Sequence, residues 1–250
     1  MIDPETSPLL PRHIFDELMM EATSRVETIE QGPSIYRTLT ALTSIYQEFG
    51  NRLAHLIYQE SSVNGTQRLA CSAGCSICCH VPSEVRERDK RNFSMSYLDI
   101  IWLVENYAEI KAANPSVNCK AIAAVEEAKR TEALQPCPHL AESGNCGIYV
   151  YRPLPCKIWF SADINLCIQN RGLGYKSDLN PLTDLSRSIG TAFAQPFSDY
   201  LQSIDPKRNF WGYDFLSTFE EIAKLDEYGL FETMRAKIDA GKLASWDPFG

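Results

Sequence analysis

The chain has 250 residues, 44% of them hydrophobic and 22% charged, with a formal net charge of −8 at pH 7. That is enough chain to bury a sizeable core, as one large domain or two small ones. The acidic balance argues against broad binding to nucleic acid or to an anionic membrane surface.

The first residues, Met1-Ile-Asp-Pro-Glu-Thr-Ser-Pro8, are acidic and proline-rich where a signal peptide needs basic residues and then an apolar run. No stretch approaches the ~18 consecutive apolar residues of a membrane span. These features predict a cytoplasmic protein without a membrane partner. A helix is expected over Arg12–Glu30, then a break at Gln31-Gly32-Pro33. A long helix follows over Pro33–Glu60, because Leu39, Leu42, Tyr46, Phe49, Leu53 and Leu56 recur at steps of three and four.

A turn-rich link, Ser61-Ser-Val-Asn-Gly-Thr66, leads into the first cysteine block. The mixed charges of Arg86–Arg91 read as a solvated loop. Ser94-Met-Ser96 offers an N-cap to a helix running to about Ala113, with Tyr97, Ile100, Ile101, Val104, Tyr107 and Ala108 on its face. Asn114-Pro-Ser116 ends it and caps an alanine-rich helix to about Leu134. From Gln135 to Lys176, prolines and glycines interrupt any helical period, and only a turn or short strand near Ile148–Tyr151 is expected. Pro181–Ile204 is helical again, with a kink at Pro196. Shorter helices are expected near Tyr213–Leu225 and Leu230–Lys242.

The predicted fold class is mainly α, with helices packed around irregular cysteine-rich metal-binding loops and little or no sheet. Three segments, 1–66, 67–176 and 177–250, are expected to form one compact unit.

The chain has nine cysteines, and eight fall into two groups of four. The first is Cys71-x3-Cys75-x2-Cys78-Cys79, followed by His80. The second is Cys137-x8-Cys146-x9-Cys156-x10-Cys167. An odd total excludes complete pairing within one chain, and disulfides are rare in the cytoplasm. Clustered thiols there read as metal ligands or redox centres. Thiolates suit zinc, copper(I) and iron–sulfur centres. Short spacings with small residues between, as in Cys75-Ser-Ile-Cys78, let one turn supply two ligands of a tetrahedral site.

Adjacent Cys78 and Cys79 diverge in either regular backbone, so together they suit two sites, a polynuclear centre, or one ligand beside one non-ligand. Cys119 stands apart and reads as a small core residue. His80 and His139 lie close to cysteines and can replace a thiolate; otherwise His139 hydrogen-bonds locally and His80 starts the following segment. His13 and His55 sit in amphipathic helices without a chemical role.

Several motifs are incomplete. Ser76 occupies the first cysteine position of a C-x-x-C-H haem site ending at His80. Neither Pro136-Cys137 nor Pro155-Cys156 has the second cysteine of the zinc-deaminase pattern. The triad Cys71-x3-Cys75-x2-Cys78 has the spacing used by radical-SAM enzymes, but the following segments are helical and the chain has no Gly-Gly.

The two blocks together resemble the CxxCxxCC cysteine-cluster family, described as a zinc- or iron-chelating domain. The residues that carry the resemblance are Cys71, Cys75, Cys78 and Cys79, then Cys137-Pro-His-Leu140, Gly144-Asn-Cys146-Gly-Ile-Tyr149 and Arg152-Pro-Leu-Pro-Cys156-Lys157. The last stretches are similar to the family's C-x-I-Y-x-x-R-P-x-x-C-R, with Lys157 in place of arginine.

The resemblance implies a metal-binding protein in which the eight clustered cysteines chelate zinc or iron, with an iron–sulfur cluster among the forms iron can take. Relatives described as flagellin lysine N-methylases imply an alternative, a metal- or Fe–S-dependent protein-modifying enzyme. A cytosolic thiol redox switch using a pair such as Cys78–Cys79 is the third reading. Arg152 is expected at the cofactor, where its guanidinium offsets thiolate charge, or else it ties the loop to backbone carbonyls. Tyr149 is expected to pack the loop against the helices.

Overall fold

A computed structural model of the protein describes residues 10–63, 69, 75–81, 94–131, 135–161, 163–172 and 181–241. The fold is mainly α, as the sequence predicts. Helix α1 (Arg12–Glu27) packs on the long α2 (Ile35–Val63), and α8 (Pro181–Ile204) lies against both. The α2 stripe is the centre of the core: Leu39, Leu42, Tyr46, Phe49 and Leu53 are all fully buried. Tyr46 meets Phe193 and Phe197 of α8 and Phe210 at centroid separations of 5.7, 5.2 and 5.9 Å. Pro196 sits inside α8. Among the described residues, no helix is long and apolar enough to cross a membrane.

The expected helix over 94–113 divides in two. Asn106 leaves helical geometry (φ −108°, ψ 14°) between α3 (Tyr97–Glu105) and α4 (Tyr107–Ala113). The break rotates the apolar face, so Ile110 is buried and Ala108 is exposed. Helix α5 (Val117–Thr131) lays Val117, Ala121, Ala124, Val125 and Ala128 against α9 (Phe215–Glu227). The end of α9 depends on Gly229, whose φ of 64° is the left-handed conformation of a helix stop. The Leu230 N–H then reaches back to the Leu225 carbonyl at 2.8 Å. Helix α10 (Phe231–Asp239) returns to α2, where Asp239 accepts from Ser34 and from the Tyr36 N–H at 2.7 Å.

Among the described residues, two short antiparallel pairs accompany the helices. One joins β2 (Ser94–Ser96) to β4 (Trp211–Asp214). The other joins β1 (His80–Val81) to β3 (Gln135–Pro136). Two helices lie in the 135–176 stretch where none was expected: α6 (Leu154–Ile158) and α7 (Ile164–Gly172). The first is too short to show a period. The second has two exposed isoleucines, Ile164 and Ile168, and so lacks the one-sided apolar stripe that marks a core helix.

Helix α6 is seated by close packing and by one buried carboxylate. Glycines open its bed: a Cβ at Gly50 on α2 would lie 2.8 Å from Leu154 Cδ1, and one at Gly190 on α8 would lie 2.5 Å from Ile158 Cδ1. Asp99 is completely buried and accepts four hydrogen bonds. Its Oδ2 receives the Ser96 N–H at 3.0 Å and the Ser96 hydroxyl at 2.7 Å. Its Oδ1 receives Gln47 Nε2 at 3.0 Å and the Leu154 N–H at 2.8 Å. The Ser96 hydroxyl in turn accepts from the Asp99 N–H, closing a capping box at the start of α3. Buried Lys157 donates to Gln47 Oε1 and lies within Coulomb range of the carboxylate.

The carboxylate therefore ties α2, the start of α3 and the start of α6 in one place. Removing one member of a buried, hydrogen-bonded ionic network typically costs about 3–5 kcal/mol. Asp99→Ala is expected to lose stability on that scale in urea unfolding. A loss under about 1 kcal/mol, the worth of an ordinary hydrogen bond, would refute the assigned role.

Candidate functional site

Backbone pairing brings the two cysteine blocks together. In the first block, a 3-10 turn over Ile77–Cys79 closes through the Cys79 N–H to the Ser76 carbonyl at 2.9 Å. His80 and Val81 then pair with Pro136 and Gln135. The next residue of the second block continues the contact, as the Cys137 N–H donates to the Cys79 carbonyl at 2.7 Å. Residues distant in sequence thus share one edge.

A tight reversal returns Cys146 to Cys137. Leu140 and Cys146 form an isolated antiparallel bridge, and the Gly147 N–H donates to the His139 carbonyl at 2.7 Å. The turn between them needs Gly144, whose φ is 80°. The Ala141 N–H bonds the Asn145 carbonyl and the Gly144 N–H bonds the Ala141 carbonyl, both at 2.9 Å.

Cys156 is carried on α6, whose first N–H is held by Asp99. Cys167 is carried on α7, which packs against the 3-10 turn of the first block. The start of α7 is capped by Asp163, whose carboxylate accepts the Asn165 N–H at 2.7 Å.

Seven of the eight expected ligand cysteines lie among the described residues, and all seven are free: Cys75, Cys78, Cys79, Cys137, Cys146, Cys156 and Cys167. Cys71 lies outside the described residues. Cys78 is the electrostatic hub. Its thiol hydrogen-bonds Cys79, and this bond, then burial, then the Cys79 charge hold it well above the ordinary thiol range. Its charge is felt at Cys137, Cys146, Cys156 and Cys167.

Burial pushes Cys137 up to about 12, against the backbone N–H groups of His139 and Leu140 that favour its thiolate. Cys156 is raised well above the usual value by desolvation first, and then by Cys137, Cys146 and Cys78. Burial raises Cys146 and Cys167 as well. Cys78 and Cys156 are nevertheless exposed by surface area.

Arg152 is a cation beside these thiols. It lowers the pKa of Cys78, Cys146 and Cys156, which places its guanidinium near all three. It also lies over the Tyr149 ring, 3.8 Å from the centroid. Tyr149 is 66% exposed. It therefore supports Arg152 from the solvent side and does not pack the loop onto the helices as expected. Lys157, the residue standing where arginine is common, turns away from the thiols into the Asp99 network.

Neither histidine beside the cysteine blocks has a ring hydrogen bond to a thiol among the described residues. His80 Nδ1 contacts the Ser76 carbonyl at 3.2 Å, a local bond within the turn. The His139 ring is fully buried and stands edge-on to Phe219 at 4.5 Å. Both of its ring nitrogens lack a hydrogen-bond partner among the described residues, so the local bond expected for it is absent. Cys119, expected in the core, is exposed on α5.

Among the described residues, no three His, Cys, Asp or Glu side chains stand in a ready-made metal-holding group. Several thiols lie within electrostatic range of one another without being closed into a first coordination shell. The supporting residues Asp99, Gln47, Gly50 and Gly190 were not singled out from the sequence. The Ser96-x-x-Asp99 capping-box spacing is the one signal that could have found Asp99.

Comparisons with protein-family models, with curated proteins and with solved structures returned no significant match.

Burial lowers the His139 pKa from 6.5 to about 3, with Lys120 adding to the effect. The folded state thus takes up this proton less readily than the unfolded chain. Its contribution is fully present above pH 6.5 and is lost as pH falls towards 3. The stability difference between the native protein and His139→Gln should therefore shrink by up to about 1.4 kcal/mol per pH unit across that window. Parallel urea titrations measure it, and a pH-independent difference would contradict the buried neutral imidazole.

Proposed function

We propose that the protein binds zinc or iron through its clustered cysteines, iron either as a single ion or as an iron–sulfur cluster. The observation that supports this reading is the convergence of the two blocks. Six thiols, Cys78, Cys79, Cys137, Cys146, Cys156 and Cys167, come from a turn, a hairpin and two helices into electrostatic range of one another, with Arg152 near three of them. Core packing alone does not call for such a gathering.

The donor set fits the group. Thiolates are soft ligands for zinc and iron, and a four-thiolate zinc site carries a net charge of −2 that a guanidinium offsets. Cys75 and Cys71 complete the ligand pool. Zinc supplies a structural cross-link, and iron with sulfide supplies redox chemistry. The chain's own residues hold the pool in place: Asp99 fixes the α6 end that carries Cys156, and the β1–β3 pairing fixes Cys79 against Cys137. Metal binding is then coupled to the ordering of the loops that carry the thiols.

Anaerobic purification followed by metal and acid-labile sulfide analysis tests the reading. The expected result is about one metal centre per chain. A colourless zinc protein and a brown, sulfide-bearing iron protein are told apart directly. Cys156→Ser should reduce the metal content while Cys119→Ser leaves it intact. Trace metal with all nine thiols freely titrating would sink the proposal.

Chelation should also lower the melting temperature and open the 135–161 stretch to protease. Arg152→Met should weaken retention of the metal about 10–100-fold, on the scale of other outer-sphere partners, measured by competition with a chromogenic chelator.

A further inference from the structure

A cavity of about 380 Å³ lies between the α4–α5 turn and the 139–147 hairpin. Its polar wall is Asn114, Lys120, His139, Glu142 and Ser143. Two of these are engaged within the protein. Asn114 donates to the Pro138 carbonyl at 3.4 Å and accepts from the Ser116 hydroxyl at 3.1 Å. The Ser143 hydroxyl accepts from Asn145 at 3.2 Å.

The other three are not engaged. Lys120 and Glu142 form no ion pair or side-chain hydrogen bond among the described residues, with each other or with any neighbour. His139 is 1% exposed, and neither ring nitrogen has a partner. Its position is set from two sides, by the Gly147 N–H on its carbonyl and by the Phe219 ring against its imidazole. Buried polar groups without partners are rare in folded proteins and mark places where something else completes them. A neutral imidazole offers one donor and one acceptor.

We propose that this cavity binds a small zwitterion, a molecule carrying both a carboxylate and an amine. The unpaired Lys120 ammonium takes the carboxylate. The unpaired Glu142 carboxylate takes the amine. The buried His139 stands in the wall beside them. A dianion such as phosphate is disfavoured by Glu142, and a simple cation is disfavoured by Lys120, since like charges in one site repel. The volume falls at the small end of ligand pockets, roughly 300–1,000 Å³, which suits a molecule of amino-acid to dipeptide size. The inference does not depend on the metal reading.

The test follows the His139 ring signals of the full-length protein, as purified, by NMR. The probes are L-alanine and L-alanyl-L-alanine, each with its N-acetylated form and its C-terminal amide. The expected result is a saturable shift with at least one free zwitterion, and binding about tenfold weaker when either charge is removed. Lys120→Gln should abolish the preference for the free carboxylate, and Glu142→Gln the preference for the free amine. Both side chains are exposed, so neither change should disturb folding, which a urea titration checks. Absence of a saturable shift with both zwitterions, or equal shifts with charged and capped forms, overturns the proposal.

Discussion

The Asp99 carboxylate is the point at which the helical core and the cysteine loops meet. It is wholly desolvated, and four donors around it offset part of that penalty: two from Ser96, one from Gln47 and one from the Leu154 backbone. Desolvation raises its pKa, while the Leu154 and Ser96 hydrogen bonds and nearby Lys157 pull it back. A buried acceptor with four bonds leaves little freedom to its donors. The Leu154 N–H would otherwise be an orphan at a buried helix start. Its engagement gives α6 an orientation, and α6 carries Cys156.

The thiol surface is built on that support in a different way. Apart from α6 and α7, its backbone is turns, a bridge and a two-residue strand pair. Such segments bury few apolar side chains, so backbone hydrogen bonds carry most of their local order. The β1–β3 pair is short, but the Cys137-to-Cys79 bond extends it and joins the blocks at a defined register. The electrostatic coupling among several thiols and the nearby guanidinium then follows from chain geometry. Like charges at these positions oppose simultaneous ionisation, so each thiol makes its neighbours harder to deprotonate.

Much of this was legible in linear order because helical periodicity is a local property. The α2 stripe from Leu39 to Leu53 reads directly as the core, and the structure buries it. The Ser96 cap is equally local, and its side chain accepts from Asp99 as an N-cap should. The errors came where local pattern and tertiary context part. Cys119 looked like a core residue by type, yet α5 turns its alanine and valine face inward and leaves the thiol in solvent. Tyr149 looked like a packing residue, yet it forms an exposed platform under Arg152. Helix α7 was missed because its isoleucines face outward. Asn106 breaks a helix that its flanking residues would have continued, and only its backbone angles reveal this.

By itself, the sequence determined the helical class, the main core stripe, the helix cap and the identity of the candidate ligands. These depend on side-chain type and on spacings of a few residues, which act before the chain has folded. The tertiary structure decided which thiols share a surface, because that requires the strand register of His80 with Pro136 and the seating of α6 between Gly50 and Gly190. It also decided the fate of single polar groups. Lys157 enters the Asp99 network, Arg152 stays with the thiols, and the His139 ring is buried against Phe219 with its nitrogens unpaired among the described residues. Those outcomes are set by desolvation and by contacts between residues far apart in the chain, which no local pattern encodes.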